Sequence, residues 1–266
     1  MINADLHLHS TFSDGSEPVE KLIVMAKCAG LTHIAFTDHD MLSHNAYAAV
    51  CGKKAGITVV PGIEISAYDK DSGKKAHILG YGIKSGKNVE ALCEPTRRRR
   101  NENCLRQIRI LRENGYPIKE STFSAYDCIF KQQIMNYLVQ NGVAESLFGD
   151  FYRAIFKNGG ICDFDIEYAD VYAAVRAVTE DGGIAVLAHP GQQQNFDLIE
   201  KLLPYGLAGA ELNHPANSQE DKEKIAAICE QHELFVTGGS DYHGIYEAGR
   251  IAVGDFTIKQ SVKGLF

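Results

Sequence analysis

Short apolar runs of strand length alternate with amphipathic stretches through the first third of the chain. Runs at 4–8, 33–37 and 59–64 predict strands, and the stretches at 18–30 and 45–55 predict helices, the βαβα rhythm of a parallel sheet or barrel. Pro18 suits a first helical turn, and Gly30 and Gly56 suit positions just past helix ends. After Glu64 the pattern changes to that of a hairpin, 65–68 and 74–83, joined by the turn-forming Asp69-Lys70-Asp71-Ser72-Gly73. Residues 89 to about 114 then predict one long helix, and 121–160 read as short helical segments without strand signals. The βα rhythm resumes with a helix at 168–180, a strand at 184–188, a helix near 196–203, a strand at 208–212, a helix at 219–231 and a strand at 234–238. An α/β fold interrupted by an inserted helical subdomain is expected, the insert being 96–165 and the main domain 1–95 with 166–266.

Composition narrows the field. With 266 residues, 45% of them hydrophobic, the chain can bury a large core, which excludes wholesale disorder. The longest apolar run, 183–188, is strand-sized and far short of a membrane span. The amino terminus lacks the basic and apolar regions of a targeting segment. A net charge of −7 disfavours broad binding to nucleic acid, so a small substrate is expected and no stable nucleic-acid partner. Seven cysteines without a C-x-x-C pair give neither a disulfide framework nor a thiolate zinc site, and are read as reduced thiols of a cytoplasmic protein.

Chemistry gathers where the predicted strands end. The first ends in His7-Leu8-His9, the second in Asp38-His39-Asp40 and the third in Glu64; the hairpin carries His77, the 184–188 strand ends in Ala188-His189-Pro190, and the last strand is followed by Ser240-Asp241-Tyr242-His243. In parallel α/β architectures that edge is where side chains of several strands converge on ligands. Taken singly, an H-x-H pair, a histidine before proline or an acid ending an apolar strand has an ordinary structural reading, such as a satisfied core imidazole or a salt bridge. Six such coincidences at one edge favour a metal cluster. His7, His9, Asp14, His39, Glu64, His77, His189, Asp241 and His243 are the candidate ligands, too many for one four-coordinate ion, so two to three divalent ions are expected. Imidazole and carboxylate donors suit zinc, manganese or iron. Adjacent metals would lower the pKa of a bridging water and clamp phosphoryl oxygens, the logic of phosphate ester hydrolysis.

These segments, His7-Leu8-His9-Ser10 with Ser13-Asp14-Gly15, Thr37-Asp38-His39-Asp40, Gly62-Ile63-Glu64-Ile65-Ser66, His77-Ile78-Leu79-Gly80-Tyr81, Ala188-His189-Pro190-Gly191 and Ser240-Asp241-Tyr242-His243, together resemble the polymerase-and-histidinol-phosphatase (PHP) family of metal-dependent phosphoesterases, in order and spacing over nearly the whole chain. The likeness is greatest to small stand-alone members. It implies a distorted (β/α)7 barrel holding three metals: one on His7, His9, Glu64 and Asp241, a second on Glu64, His77 and His189, and a third on Asp14, His39 and His243, with Glu64 bridging the first two. Hydroxide bridging the metals would then attack phosphorus. Nucleotide-phosphatase relatives carry an Arg-Pro-His stretch in the insert and a basic residue after Ala-His-Pro-Gly. This chain has Lys131-Gln132-Gln133 and Gln192-Gln193-Gln194 instead. Neutral amides in place of dianion-binding groups favour a cyclic phosphodiester, followed by its monoester, over a nucleotide bisphosphate.

Among the remaining candidates, Lys131, Gln192 and Arg100 are expected to bind substrate, Arg100 because only one or two of Arg97-Arg98-Arg99-Arg100 on a helix can face the site. Glu64 is expected to be catalytic, Asp40 to relay a proton or orient His39, and His214 to protonate the leaving group. Competing readings are metal-dependent amide hydrolysis on a related barrel and a non-catalytic metal-stabilised module.

Overall fold

Five consecutive buried residues form β1 (Ala4–Leu8), the first strand of the computed structural model, which describes residues 2–247, 249–259, 264 and 265. Helix α1 (Val19–Cys28) follows, with Pro18 one position earlier than expected, at the N-cap. Strand β2 (His33–Phe36) and helix α2 (Asn45–Ala55) complete the first rhythm, and Gly56 closes α2 with φ 75°, a left-handed conformation that costs glycine little.

One expectation is corrected next. The strand at 59–64 and the first hairpin strand are a single element, β3 (Thr58–Asp69). Its first half pairs parallel with β2, from Thr58 opposite His33 to Pro61 opposite Phe36. Its second half pairs antiparallel with β4 (Lys74–Tyr81), from Gly62 opposite Tyr81 to Asp69 opposite Lys74. Glu64 therefore sits inside a strand, just past the change of partner, and not at a strand end.

The long helix is α3 (Lys87–Glu113), which carries Pro95 within it. A 3-10 turn at Glu120–Phe123, α4 (Lys131–Gln140) and α5 (Asp150–Phe156) follow. Ile108, Leu111, Phe123, Ile134, Leu138 and Phe156 are buried together with the later half of α3 in a core of their own. The chain returns through β5 (Ala169–Asp170), paired with β3, α6 (Val171–Glu180) and β6 (Ile184–Leu187). Next come a short helix missed by periodicity, α7 (Pro190–Gln193), then α8 (Asp197–Lys201), β7 (Leu207–Asn213), α9 (Gln219–Gln231) and β8 (Phe235–Gly238). Asp170 accepts from Ala173 N–H at the start of α6, and Ser218 with Asp221 forms a reciprocal cap on α9.

The sheet runs β1-β2-β3-β4-β6-β7-β8. Strand β4 is antiparallel to both β3 and β6, so the repeat of parallel βα units breaks there. The sheet curls until the chain beyond β8 meets β1: Leu8 bridges Tyr242, His9 N–H donates to Tyr242 O (3.1 Å), and Asp241 N–H donates to His7 O (2.9 Å). Leu6, Ala35, Val60, Leu79, Tyr81, Val186 and Ala188 fill one face of this curl, and α1 and α2 pack with Leu8, Ile34 and Phe36 elsewhere. The result is an α/β fold whose strand ends surround one polar centre.

Candidate metal centre

Each strand delivers its side chains to that centre in a fixed way. His7 and His9, two apart on an extended segment, share a side, and their Nε2 atoms lie 3.3 and 3.1 Å from Glu64 Oε2. The same two atoms lie 3.3 and 3.2 Å from Asp241 Oδ1. His77 Nδ1 and His189 Nε2 both approach Glu64 Oε1, at 2.8 and 2.9 Å, and His39 Nδ1 lies 3.3 Å from Oε2. Glu64 is thus faced by five imidazoles. A second focus is Asp14, with His9 Nδ1 and His243 Nε2 each 3.4 Å from Oδ1 and His39 Nε2 3.8 Å from Oδ2. All nine sequence-derived candidates converge here.

Three buried carboxylates hold the loops that present them. Asp38 accepts from the backbone N–H groups of Ser10 and Ser13 (2.8 and 3.1 Å) and from both their hydroxyls, shaping the turn that offers Asp14. Asp5 accepts from Ser240 N–H (2.9 Å) and its hydroxyl (2.7 Å), fixing the segment that offers Asp241; burial pushes the Asp5 carboxyl up to about 6 despite these bonds. Glu211 lies 3.0 Å from His7 Nδ1 and accepts from His189 N–H at 3.0 Å. Sequence reasoning gave Glu211 no role, although it occupies the end of a predicted strand as the other candidates do. Strain marks the same edge: Asp40, His189 and Asp241 have φ of 59°, 28° and 52°, conformations that non-glycine residues adopt only when their surroundings compel them.

The donor set fits divalent ions on two observations. His7 Nε2, His9 Nε2, His189 Nδ1, Asp14 Oδ1 and Asp241 Oδ1 are buried without a hydrogen-bond partner, which a native interior tolerates rarely. The His7, His9, Asp14 and Asp241 atoms face the cluster without satisfying one another. The field also calls for positive charge. Burial disfavours the charged imidazolium of His7, yet Glu211, Asp241 and Glu64 override it and hold that ring well above the usual histidine range. Burial opposes ionisation of Glu64 as well, and His77, His39 and His7 reverse it, keeping the carboxylate ionised and available to cations. His39 goes the other way: burial pushes it down to about 4, leaving a neutral ring that can ligate.

The other expected site residues stand around this cluster. Among the described residues no hydrogen bond joins the Asp40 carboxylate to the His39 ring; it accepts from Ser66 N–H (2.7 Å) and pairs with Arg100 Nη1 (2.6 Å). Arg100 Nη2 donates to Ser66 Oγ (2.8 Å), and the guanidinium lies 4.7 Å from the Phe130 ring centre. Arg97 pairs with Glu90 (2.9 Å) and donates to the Asp40 carbonyl, Arg98 pairs with Glu94 and Arg99 with Glu167, and of the four Arg100 lines the cavity beside the cluster. His214 Nε2 lies 3.2 Å from Asp241 Oδ2, and its Nδ1 accepts from Ala216 N–H. A cavity of about 400 Å³ opens beside Asp14, His39 and His77 and is lined by Arg100, Lys131 and Gln192. A second, of about 520 Å³, opens beside Asp241, His243 and His214, and shares Gln132, Phe148 and Gln192 with the first. Among the described residues no helix is long and apolar enough to cross a membrane.

The chain is similar to known proteins over most of its length. The PHP domain matches residues 5–175. The chain is 43% identical over 252 residues to the phosphoribosyl 1,2-cyclic phosphate 1,2-diphosphodiesterase of Eggerthella lenta, covering 93% of this chain and 95% of that one. It is 28% identical to the 3',5'-nucleoside bisphosphate phosphatase of Chromobacterium violaceum, over 94% and 90% of the two chains. A candidate metal-dependent phosphoesterase from Bifidobacterium adolescentis superposes with a TM-score of 0.84 at 27% identity, over 95% and 92%. Both named enzymes act on phosphate esters, the chemistry for which imidazole and carboxylate donors around an open cavity are suited. The chain therefore belongs to the PHP family and is a metal-dependent phosphoesterase.

Proposed function

We propose that the enzyme opens a five-membered cyclic phosphodiester on a ribose-type sugar phosphate and then hydrolyses the monoester that results. The observation that carries this reading is the amide lining at the cluster: Gln132 Nε2 donates to Asp14 Oδ2 (3.0 Å), and Gln192 lines both cavities. A diester bears one negative charge and a monoester about −1.5 to −2 near neutrality, so neutral donors here penalise the diester less than the monoester. The 43% identity to an enzyme named for a cyclic phosphate supports it.

The nine ligands divide most simply as His7, His9, Glu64 and Asp241 around one ion, Glu64, His77 and His189 around a second, and Asp14, His39 and His243 around a third, with zinc, manganese or iron suited to the donors. Bound there, divalent ions supply Lewis-acid polarisation of phosphoryl oxygens and acidify water. Glu64 keeps two ligand groups at a set spacing through its two oxygens. Glu211 orients His7 and the His189 backbone. Asp40 is a positioning residue that holds Arg100 toward the cavity, where its remaining N–H groups meet a phosphoryl oxygen. With both ring nitrogens engaged, His214 orients Asp241 and is not the acid of the leaving group. The curled sheet corresponds to a distorted (β/α)7 barrel in which β4 is the reversed strand, and 96–165 is a helical insert that brings Lys131 and Arg100 to the substrate; α3 runs through the 95/96 boundary, so the insert is continuous with the barrel.

The test compares a ribose 1,2-cyclic phosphate with the matching monoester. Comparable kcat/KM for the two is expected, and Gln192→Arg should move the ratio about tenfold toward the monoester, equivalent to 1.4 kcal/mol. An enzyme that ignores the cyclic diester would overturn the reading and return a nucleotide bisphosphate to first place.

A further inference from the structure

Helix α4 opens against one group of candidate ligands. His9, Asp14, His39 and His243 each bring a donor atom to within 4.8 Å of the others. Phe130, the N-cap of α4, lays its ring nearly parallel to that of His39, the planes 22° apart and the centres 6.1 Å apart. Gln132 Nε2 donates to Asp14 Oδ2 (3.0 Å), and Gln133 Nε2 donates to the Ser13 carbonyl (3.0 Å). Gln133 is buried and spends its other end on Phe130 N–H (2.9 Å), so a single amide joins the start of the helix to the turn that offers Asp14. These contacts run from one packing unit to another. Ile134, Met135 and Leu138 of α4 are buried with Ile108 and Phe156, whereas Leu8, at the end of β1, belongs to the core around α1 and α2.

The two glutamines take what the sheet side leaves. Asp38 holds the N–H groups of Ser10 and Ser13, while the Ser13 carbonyl and Asp14 Oδ2 are held by α4. A carboxylate can present either oxygen to a cation, and a hydrogen bond on one selects the other. With Oδ2 taken by the Gln132 amide, Oδ1 is the oxygen turned to His9 and His243, 3.4 Å from each ring, and it is buried without a hydrogen-bond partner. Resting on the division of ligands proposed above, we infer that Gln132 and Gln133 are positioning residues. They clamp the turn at 13–14 so that Asp14, His39 and His243 reach ligating geometry only when α4 is docked on the curled sheet. The helical segment then has a second role besides carrying Lys131 to the cavity: it completes one ligand group from outside the elements that supply the ligands.

Two variants test this in the full chain. Gln132→Leu removes the donor to Asp14 and keeps the bulk; Gln133→Glu keeps the acceptor for Phe130 N–H, and with it the helix start, but replaces the donor to Ser13 by an oxygen. Amide exchange is followed by mass spectrometry on metal-free native and variant proteins, and zinc or manganese is then titrated back against a competing chelator. Without metal, exchange across residues 10–16 should rise about five- to tenfold in each variant, the worth of one hydrogen bond, with exchange in the α3–α5 core unchanged. On reloading, the most weakly held equivalent should bind about 10- to 100-fold less tightly, the range for losing a group that orients a ligand, and the others as in the native protein. In the reloaded variants kcat should fall more than KM rises. Unchanged exchange at 10–16 overturns the clamp, however many ions bind. Faster exchange with every equivalent held as tightly as in the native protein overturns its role toward the ion. A native protein that holds only two equivalents refutes the three-ion division, and the clamp is then decided by the exchange at 10–16 alone.

Discussion

Single residues in this enzyme are decided by charge. Glu64 lies against five imidazoles and supplies both oxygens to them, so Glu64→Gln removes the charge while keeping the shape. Turnover should fall by at least about a hundredfold, the scale of losing a principal electrostatic element, and elemental analysis of the variant should show lost metal. Normal turnover with full metal content would refute the bridging role. The Asp40–Arg100 pair is a buried one, Asp40 being fully enclosed and the Arg100 side chain 12% exposed. Arg100→Ala leaves the Asp40 carboxylate without its cation and should destabilise the fold by about 3–5 kcal/mol in a denaturant titration. Adding Asp40→Asn should recover at least about 1 kcal/mol, because asparagine tolerates the left-handed backbone and carries no charge to strand. Lys131 yields a pH prediction. Its ammonium is held below the ordinary lysine range, so its charge is present at low pH and lost, as pH rises, before that of a normal lysine. KM for a phosphorylated substrate should climb on the alkaline side accordingly, and Lys131→Arg should move that limb to higher pH; a profile identical in the two forms would disprove the link.

At the scale of elements, the site depends on how closely strands approach. A Cβ at Gly239, just beyond β8, would stand 2.3 Å from His7 Cβ and 2.4 Å from His7 N, where only a bare backbone fits. Gly239→Ala should therefore push the last strand off the first, costing about 1–3 kcal/mol and lowering metal content more than helical content. Calorimetric unfolding with metal analysis checks this, and a variant with full metal and normal stability contradicts it. Periodicity identified most elements because apolar faces repeat at 2 and 3.6 residues whatever lies beyond them. It misassigned β3 because a strand that changes partner from β2 to β4 keeps its own alternation throughout. Nothing local in Glu64-Ile65 announces a new neighbour. Four-residue α7 fell below the length at which a helical period can be recognised.

The whole molecule is joined through the centre, since the candidate ligands come from β1, β3 and β4 and the loops after β1, β2, β6 and β8. Metal removal should thus loosen more than the site. Between two and three equivalents of transition metal are expected in purified protein, about three ligands being shared per ion, and a chelator should abolish hydrolysis. It should also lower Tm, because an ion present at a hundred times its Kd stabilises the native state by about 2.7 kcal/mol. Unchanged Tm and activity after demonstrated metal loss would remove the basis for the mechanism.

The amino-acid sequence by itself determined the α/β rhythm, the nine donors and the chemistry they share, since ligand type and apolar period are written in neighbouring residues. Tertiary structure alone decided three matters. It set the reversed β4 beside β6, it placed Glu211 behind His7 and His189, and it paired the Asp40 carboxylate with Arg100. Each depends on contacts between segments far apart in the chain, His7 and Glu211 being 204 residues apart and Asp40 and Arg100 60 apart. Composition and spacing carry no record of such separations, whereas burial does: a carboxylate taken out of water must find a partner, and which partner it finds is settled only when the sheet curls.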